Sequence, residues 1–127
     1  MKTMILTIAI VFASAALAEN YVIDTKASKV EWRAGKKIGS FHNGTIEIKN
    51  GSLEVDPKGT ITAAQVVIDM SKISNDDLKG SPDYQKKLVD HLSSGDFFKV
   101  SEFPESTFKL KSIKPKPGAK NKHLVSG

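Results

Sequence analysis

Few residues in this chain have the types and spacing for covalent chemistry. Gly39-Ser40-Phe41-His42 is the nearest approach to a serine nucleophile turn. Such a turn needs glycine two residues before and two residues after the serine, and those positions hold Ile38 and His42. The chain contains no cysteine. No pair among His42, His91 and His123 has a zinc-ligand spacing. Asp24, Asp69, Asp90 and Asp96 fall at expected turns and strand ends, where aspartate caps and bends the chain. No glycine-rich phosphate loop follows a strand. These residues do not describe an enzyme, and they call for no cofactor or metal. His91 closes an expected helix, where a cation is favoured by the dipole, and His42 precedes Asn43-Gly44. Each reads either as a local structural residue or as a polar contact for the head group of a ligand.

The other unusual feature is aromatic. His91–Leu110 holds four of the six phenylalanines, Phe97, Phe98, Phe103 and Phe108, mostly among loop-type residues. They either plug the end of a core or line a space that holds something apolar, since each ring carries about 150–250 Å² of surface to bury.

These residues must be positioned by a small number of elements. The 127 residues suffice for one domain. Lys2, the apolar run Ile5–Phe12 and the small-x-small triplet Ala16-Leu17-Ala18 have the pattern of a secretory leader over residues 1–18. The run is too short for a membrane span. The expected mature domain is 19–127, in the periplasm or secreted. Beyond Lys2 there are 18 Lys and Arg against 14 Asp and Glu, interspersed along the chain. Nucleic-acid binding favours clustered basic residues with stacking aromatics, and that pattern is absent. An exported domain without disulfides must be held by its core alone.

Period-two alternation dominates. Val30, Trp32 and Ala34 share one strand face, and Ile46 and Ile48 alternate with charged residues. Asn50-Gly51 predicts a tight hairpin turn, with Leu53 and Val55 on the returning strand. Asp56-Pro57-Lys58-Gly59 predicts a second turn. Thr60–Met70 then places Ala64, Val66, Ile68 and Met70 on one face. The result is an antiparallel meander with one buried face and one wet face. Between about Pro82 and Leu92 the spacing turns helical, with Tyr84, Leu88 and Leu92 as the apolar side and Ser81-Pro82 as the start. Ser106–Ile113 alternates again, and His123–Gly127 opens another strand. A curved sheet with one buried face closes on itself when enough strands are present. Here the closing strands are not supplied, so an incomplete barrel is expected, either bare or closed by a homodimer.

Several of these stretches, in order, resemble the YceI-like family of exported lipid-binding proteins. They are Tyr21-Val22-Ile23-Asp24 with Val30-Glu31-Trp32, the segment Gly44–Val55, Ile68-Asp69-Met70, His91-Leu92 with Asp96-Phe97-Phe98, and Phe103-Pro104. The resemblance spans Tyr21 to Gly127. It implies a mainly β, lipocalin-like antiparallel barrel with one short helix, holding an apolar lipid, typically a polyisoprenoid, and acting as a carrier. Under it, Trp32, Phe41, Ile46, Ile48, Val66, Ile68, Phe97, Phe98 and Phe108 are candidates for the apolar lining, and His42 and His91 for the polar end. Two features depart from the family pattern. Ala27-Ser28 stands where many members have His-Ser, and family members usually continue for several strands past the position of Gly127. The competing expectation is an interaction module whose open sheet edge pairs with another chain.

Overall fold

The structure, a computed structural model, describes residues 17–127. Apart from Leu17 and Ala18, the expected leader lies outside the described residues. The described residues form seven strands: β1 (Glu19–Val22), β2 (Val30–Gly35), β3 (Phe41–Val55), β4 (Ile61–Asp69), β5 (Glu105–Lys109), β6 (Ser112–Pro115) and β7 (His123–Ser126). A 3-10 turn (Met70–Lys72) follows β4, and one α-helix, α1 (Pro82–Ser93), lies between it and β5.

The long strand β3 organises the sheet. Its first half pairs antiparallel with β2, and its last residues pair with β1. On its other side it pairs with β4, which in turn pairs with β5. The hairpin β6–β7 forms a separate small sheet beyond β5. The main sheet is a curled antiparallel half-barrel, mainly β with one helix, as the alternation and the resemblance lead one to expect. Among the described residues it stays open between β5 and the β1/β2 edge.

Where Asn50-Gly51 predicts a turn, the chain runs straight through. β3 continues to Val55, and the ladder with β4 skips a residue between Ile48 and Asn50. The signal marks a β-bulge, which bends the strand and increases its twist. Gly51 is needed there for a different reason from turn formation. A methyl at its position would lie 3.0 Å from the carbonyl oxygen of Gln65 and 3.2 Å from Cγ1 of Ile23, which crosses over it. The predicted turn at Asp56–Gly59 is present. Gly59 has φ of +83°, and the Asp56 carboxylate accepts from the Lys58 and Thr60 amides, both at 2.9 Å.

The register sorts side chains onto two faces. Val30, Trp32, Ile46, Ile48, Leu53, Ala64, Val66, Ile68 and Phe108 share the inner face. The outer face carries Glu31, Arg33, Glu47 and Asp69, but also Val67, which is buried. The expectation of one wholly wet face therefore fails at Val67.

Helix α1 begins where Ser81-Pro82 predicts, because proline at its first position has no amide to leave unpaired. It ends at Ser93, with the amide of Ser94 donating to the carbonyl of His91. Its inner side is Leu88, Val89 and Leu92, which cover Ile46, Met70 and Ile73. Tyr84 does not join them. It is 68% exposed, with the Lys87 ammonium 5.6 Å from its ring. The core thus sits at one end of the half-barrel, under the helix, and the inner face beyond it is only partly covered. No helix among the described residues is long and apolar enough to cross a membrane.

Candidate functional site

The segment Ile73–Asp77 runs beside the first half of β3 and continues the edge that β4 leaves. The Ser74 amide donates to the Thr45 carbonyl (2.8 Å), and the Asp76 amide donates to that of Asn43 (2.9 Å). Trp32, from β2, lays its indole across Gly44 and donates from Nε1 to the carbonyl of Ser74 at 2.8 Å. One wall of the site is therefore fixed by a tryptophan whose polar atom is already satisfied, leaving its ring apolar.

That ring, with Ala34 and Ile46 from the sheet, Ile73 from the edge segment, Leu92 from α1, and Phe97 and Phe98 from the α1–β5 loop, lines an apolar cleft of about 250 Å³. Arg33 is its only charged lining residue. The loop that supplies the phenylalanines is irregular but well tied. Phe98 donates its amide to Leu92, Lys99 to Ser94 and Val100 to Ser93, with Lys99 in the left-handed region at φ of +45°. Phe97, Phe98, Phe103 and Phe108 are respectively 57, 45, 56 and 38% exposed. None is a core plug, and two of them form a wall.

The expected residues thus separate into groups. Trp32, Ile46, Phe97 and Phe98 come together in the cleft. Ile48, Val66, Ile68 and Phe108 lie on the same inner face, and the terminal Gly127 packs against the Phe108 ring. Phe41 departs from the inner set. It pairs with Gly35, has the opposite parity to Trp32 and Ile46, and holds the Arg33 guanidinium 4.4 Å from its ring centroid. The sequence reading missed Ile73 and Leu92 as wall residues, although Leu92 was legible as part of the helix's apolar side.

The two histidines do different work. His91 stands at the end of α1, edge-on to Phe97 with ring centroids 4.9 Å apart, and 3.9 Å from the Asp96 carboxylate. It braces the cleft wall. His42 does not line the cleft and joins a polar knot instead, its Nδ1 2.7 Å from Asp77. The Asn43 amide donates to the same carboxylate at 2.9 Å, and Asn75 Nδ2 donates to it at 2.6 Å and to the Asn43 carbonyl at 3.1 Å. Asn75 is almost fully buried and also receives the Leu78 amide at 3.0 Å. A histidine beside an aspartate is half of a nucleophile-activating arrangement, but among the described residues no serine hydroxyl bonds the His42 ring. The knot fastens the edge segment to β3.

The Asn43 amide, then His42 and Asn75, hold the Asp77 carboxyl at about 2, well below the usual carboxylate value. A carboxyl depressed in the fold stabilises it fully above its unfolded pKa, near ~4, and loses that contribution as pH falls towards the folded value. Asp77→Asn keeps an oxygen for the Asn43 amide but cannot ionise. Thermal melts of wild type and Asp77→Asn should therefore differ most above about pH 4 and converge as the pH is lowered towards about 2. A constant difference across that window would show that the charge of Asp77 does not hold the knot.

Comparison with curated proteins yields no match. The family model of the YceI-like domain matches residues 21–127, which covers the sheet apart from the first two residues of β1, the helix and every residue of the cleft, and the chain belongs to that family.

Proposed function

We propose that this protein is an exported carrier that holds an apolar, isoprenoid-like lipid against the inner face of its half-barrel. The observation that carries this reading is the cleft between Trp32, Leu92, Phe97 and Phe98, whose wall is apolar and whose phenylalanines remain solvent-exposed instead of being packed away. Membership of the YceI-like family supports lipid binding in general. The leader-like residues 1–18 support export to the periplasm or beyond. The cleft alone is smaller than the ~300–1,000 Å³ of sites that enclose a drug-sized ligand. It takes one end of a long chain, and the remainder lies along Ile48, Val66, Ile68 and Phe108 on the open inner face. Hydrophobic burial, worth about 25 cal/mol per Å², supplies the affinity and tolerates variation in the tail. Phe41 and His42 take no part, and His91 acts through Phe97.

The test is native mass spectrometry of protein purified from cells, followed by solvent extraction. A monomer carrying a discrete lipid mass is expected. Phe98→Ala should lower retained lipid by about tenfold, and Ile48→Asp at least as much, whereas Lys49→Ala, on the surface, should leave it unchanged. Equal loss in all three variants would count against a defined channel. The second reading, a module that pairs through its sheet edge, is favoured by the exposed edges at β5 and at β1/β2. It predicts an empty oligomer, a homodimer in the simplest case.

A further inference from the structure

The turn joining β2 to β3 stands at the rim of the cleft, since Trp32, Arg33 and Ala34 line it just before the turn begins. From Trp32 to Phe41 the chain carries Arg33, Lys36 and Lys37 and no acidic residue. Lys36 and Lys37 make no ion pair among the described residues. Arg33 faces the Phe41 ring instead of a carboxylate. At the tip, Ile38 is 91% exposed, and Phe41 beside it is 54% exposed. Gly39, at φ of +132°, completes the turn, and nothing lies within 4 Å of where its Cβ would be, so the tip projects freely. The acids beside Trp32 and Arg33 are engaged elsewhere, Glu31 with Lys29 and Asp76 with Lys79, as are Asp77 with His42 and Asn43, Glu102 with Lys99, and Asp96 within 3.9 Å of His91.

A single exposed isoleucine is ordinary. An exposed isoleucine and phenylalanine flanked by three unpaired cations, at the mouth of an apolar cleft, match the two layers of an anionic membrane surface. The cations meet the head groups and the apolar side chains enter the acyl boundary. We propose that the β2–β3 turn is a membrane-docking tip, with Lys36 and Lys37 on anionic lipid head groups and Ile38 and Phe41 inserted beneath them. Docking in this way sets the rim formed by Trp32 and Phe98 against the bilayer, so that an apolar chain passes between membrane and cleft without crossing water.

A rival basic surface exists in the β6–β7 hairpin, where Lys114 and Lys116 lie near the Gly59 turn at the other end of β3. It is remote from the cleft, and it serves as the control. Docking rests on the carrier reading only for its purpose. Vesicle binding and co-purified lipid are separate measurements, so either can fail alone.

The experiment is flotation of the purified protein with vesicles of phosphatidylcholine alone and of phosphatidylcholine mixed with phosphatidylglycerol. Binding to the mixed vesicles only is expected, weakened by added salt. Each cation at such a surface is worth about fivefold, so Lys36→Gln/Lys37→Gln should bind about thirtyfold more weakly. Ile38→Ser should weaken binding by about tenfold, and Lys114→Gln/Lys116→Gln by less than about twofold. Absence of binding, equal binding to both vesicle types, or a loss in the hairpin control as large as in the tip variants would overturn the proposal. So would a dimer in vesicle-free solution that Ile38→Ser dissociates, because the tip would then belong to a second copy of the chain.

Discussion

Gly44→Ala is expected to be the most damaging single methyl that can be added to this protein. At Gly44 a Cβ would land on the carbonyl oxygen of Ser74 and lie 2.7 Å from both its carbonyl carbon and the indole nitrogen of Trp32. The obstacle is backbone, so no rotamer change relieves it. The edge segment would have to leave β3, breaking the Trp32–Ser74 bond and the Ser74–Thr45 and Asp76–Asn43 ladder together. Overpacking of this kind costs about 3 kcal/mol or more, which in a domain of this size lowers Tm by at least ~10 °C. Gly80→Ala is the matched control, because nothing lies within 4 Å of its Cβ position, and it should change stability by less than ~0.5 kcal/mol. Equal melting of the two variants would mean that the edge segment is not held as described. The same Trp32 ring walls the cleft, so Gly44→Ala should also empty it of lipid.

Leu92→Ala is the second large effect. Leu92 is the buried residue of α1, 8% exposed, and it joins the helix to Ile46, Met70 and Ile73. Truncating a buried leucine costs about 2–5 kcal/mol, the spread reflecting how far the site collapses. Here the cleft adjoins the deletion, so neighbouring side chains have room to shift, and a value near ~3 kcal/mol is expected by urea unfolding. Tyr84→Ala, on the exposed part of the same helix, should cost less than ~0.5 kcal/mol. If the two losses were similar, the helix would not be packed on its Leu88–Leu92 side. Leu92 also sits under Phe98, whose amide bonds its carbonyl, so the variant should loosen the Phe97–Phe98 wall as well as the core.

Much of the architecture was legible locally. The alternation around Trp32, the Asp56–Gly59 turn and the start of the helix at Ser81-Pro82 each follow from interactions within a few residues, and each stands where the sequence places it. Asn50-Gly51 misled because a turn signal presumes that the strand ends there. The strand continues because β1 and β4 both pair across it, 52–55 on one side and 47–55 on the other. Long-range ladder bonds on two sides outweigh a local preference for positive φ. Phe41 misled for a related reason. Apolar character says that a residue belongs near other apolar surface, but its face depends on the register of β2 against β3, and that register puts it with Gly35 and Arg33 on the outside.

By itself the sequence determined the mainly β character, the single helix and the apolar identity of the residues that form the wall, because these depend on side-chain type and short-range periodicity. Tertiary structure alone decided which of those residues meet. Ser74 reaches Trp32 across 42 positions, and His42 reaches Asp77 across 35. The cleft exists only because the edge segment, the helix and the Phe97–Phe98 loop converge on one end of a bent sheet. No residue in any of the three encodes that convergence locally, since it comes from closing long loops over a shared apolar surface.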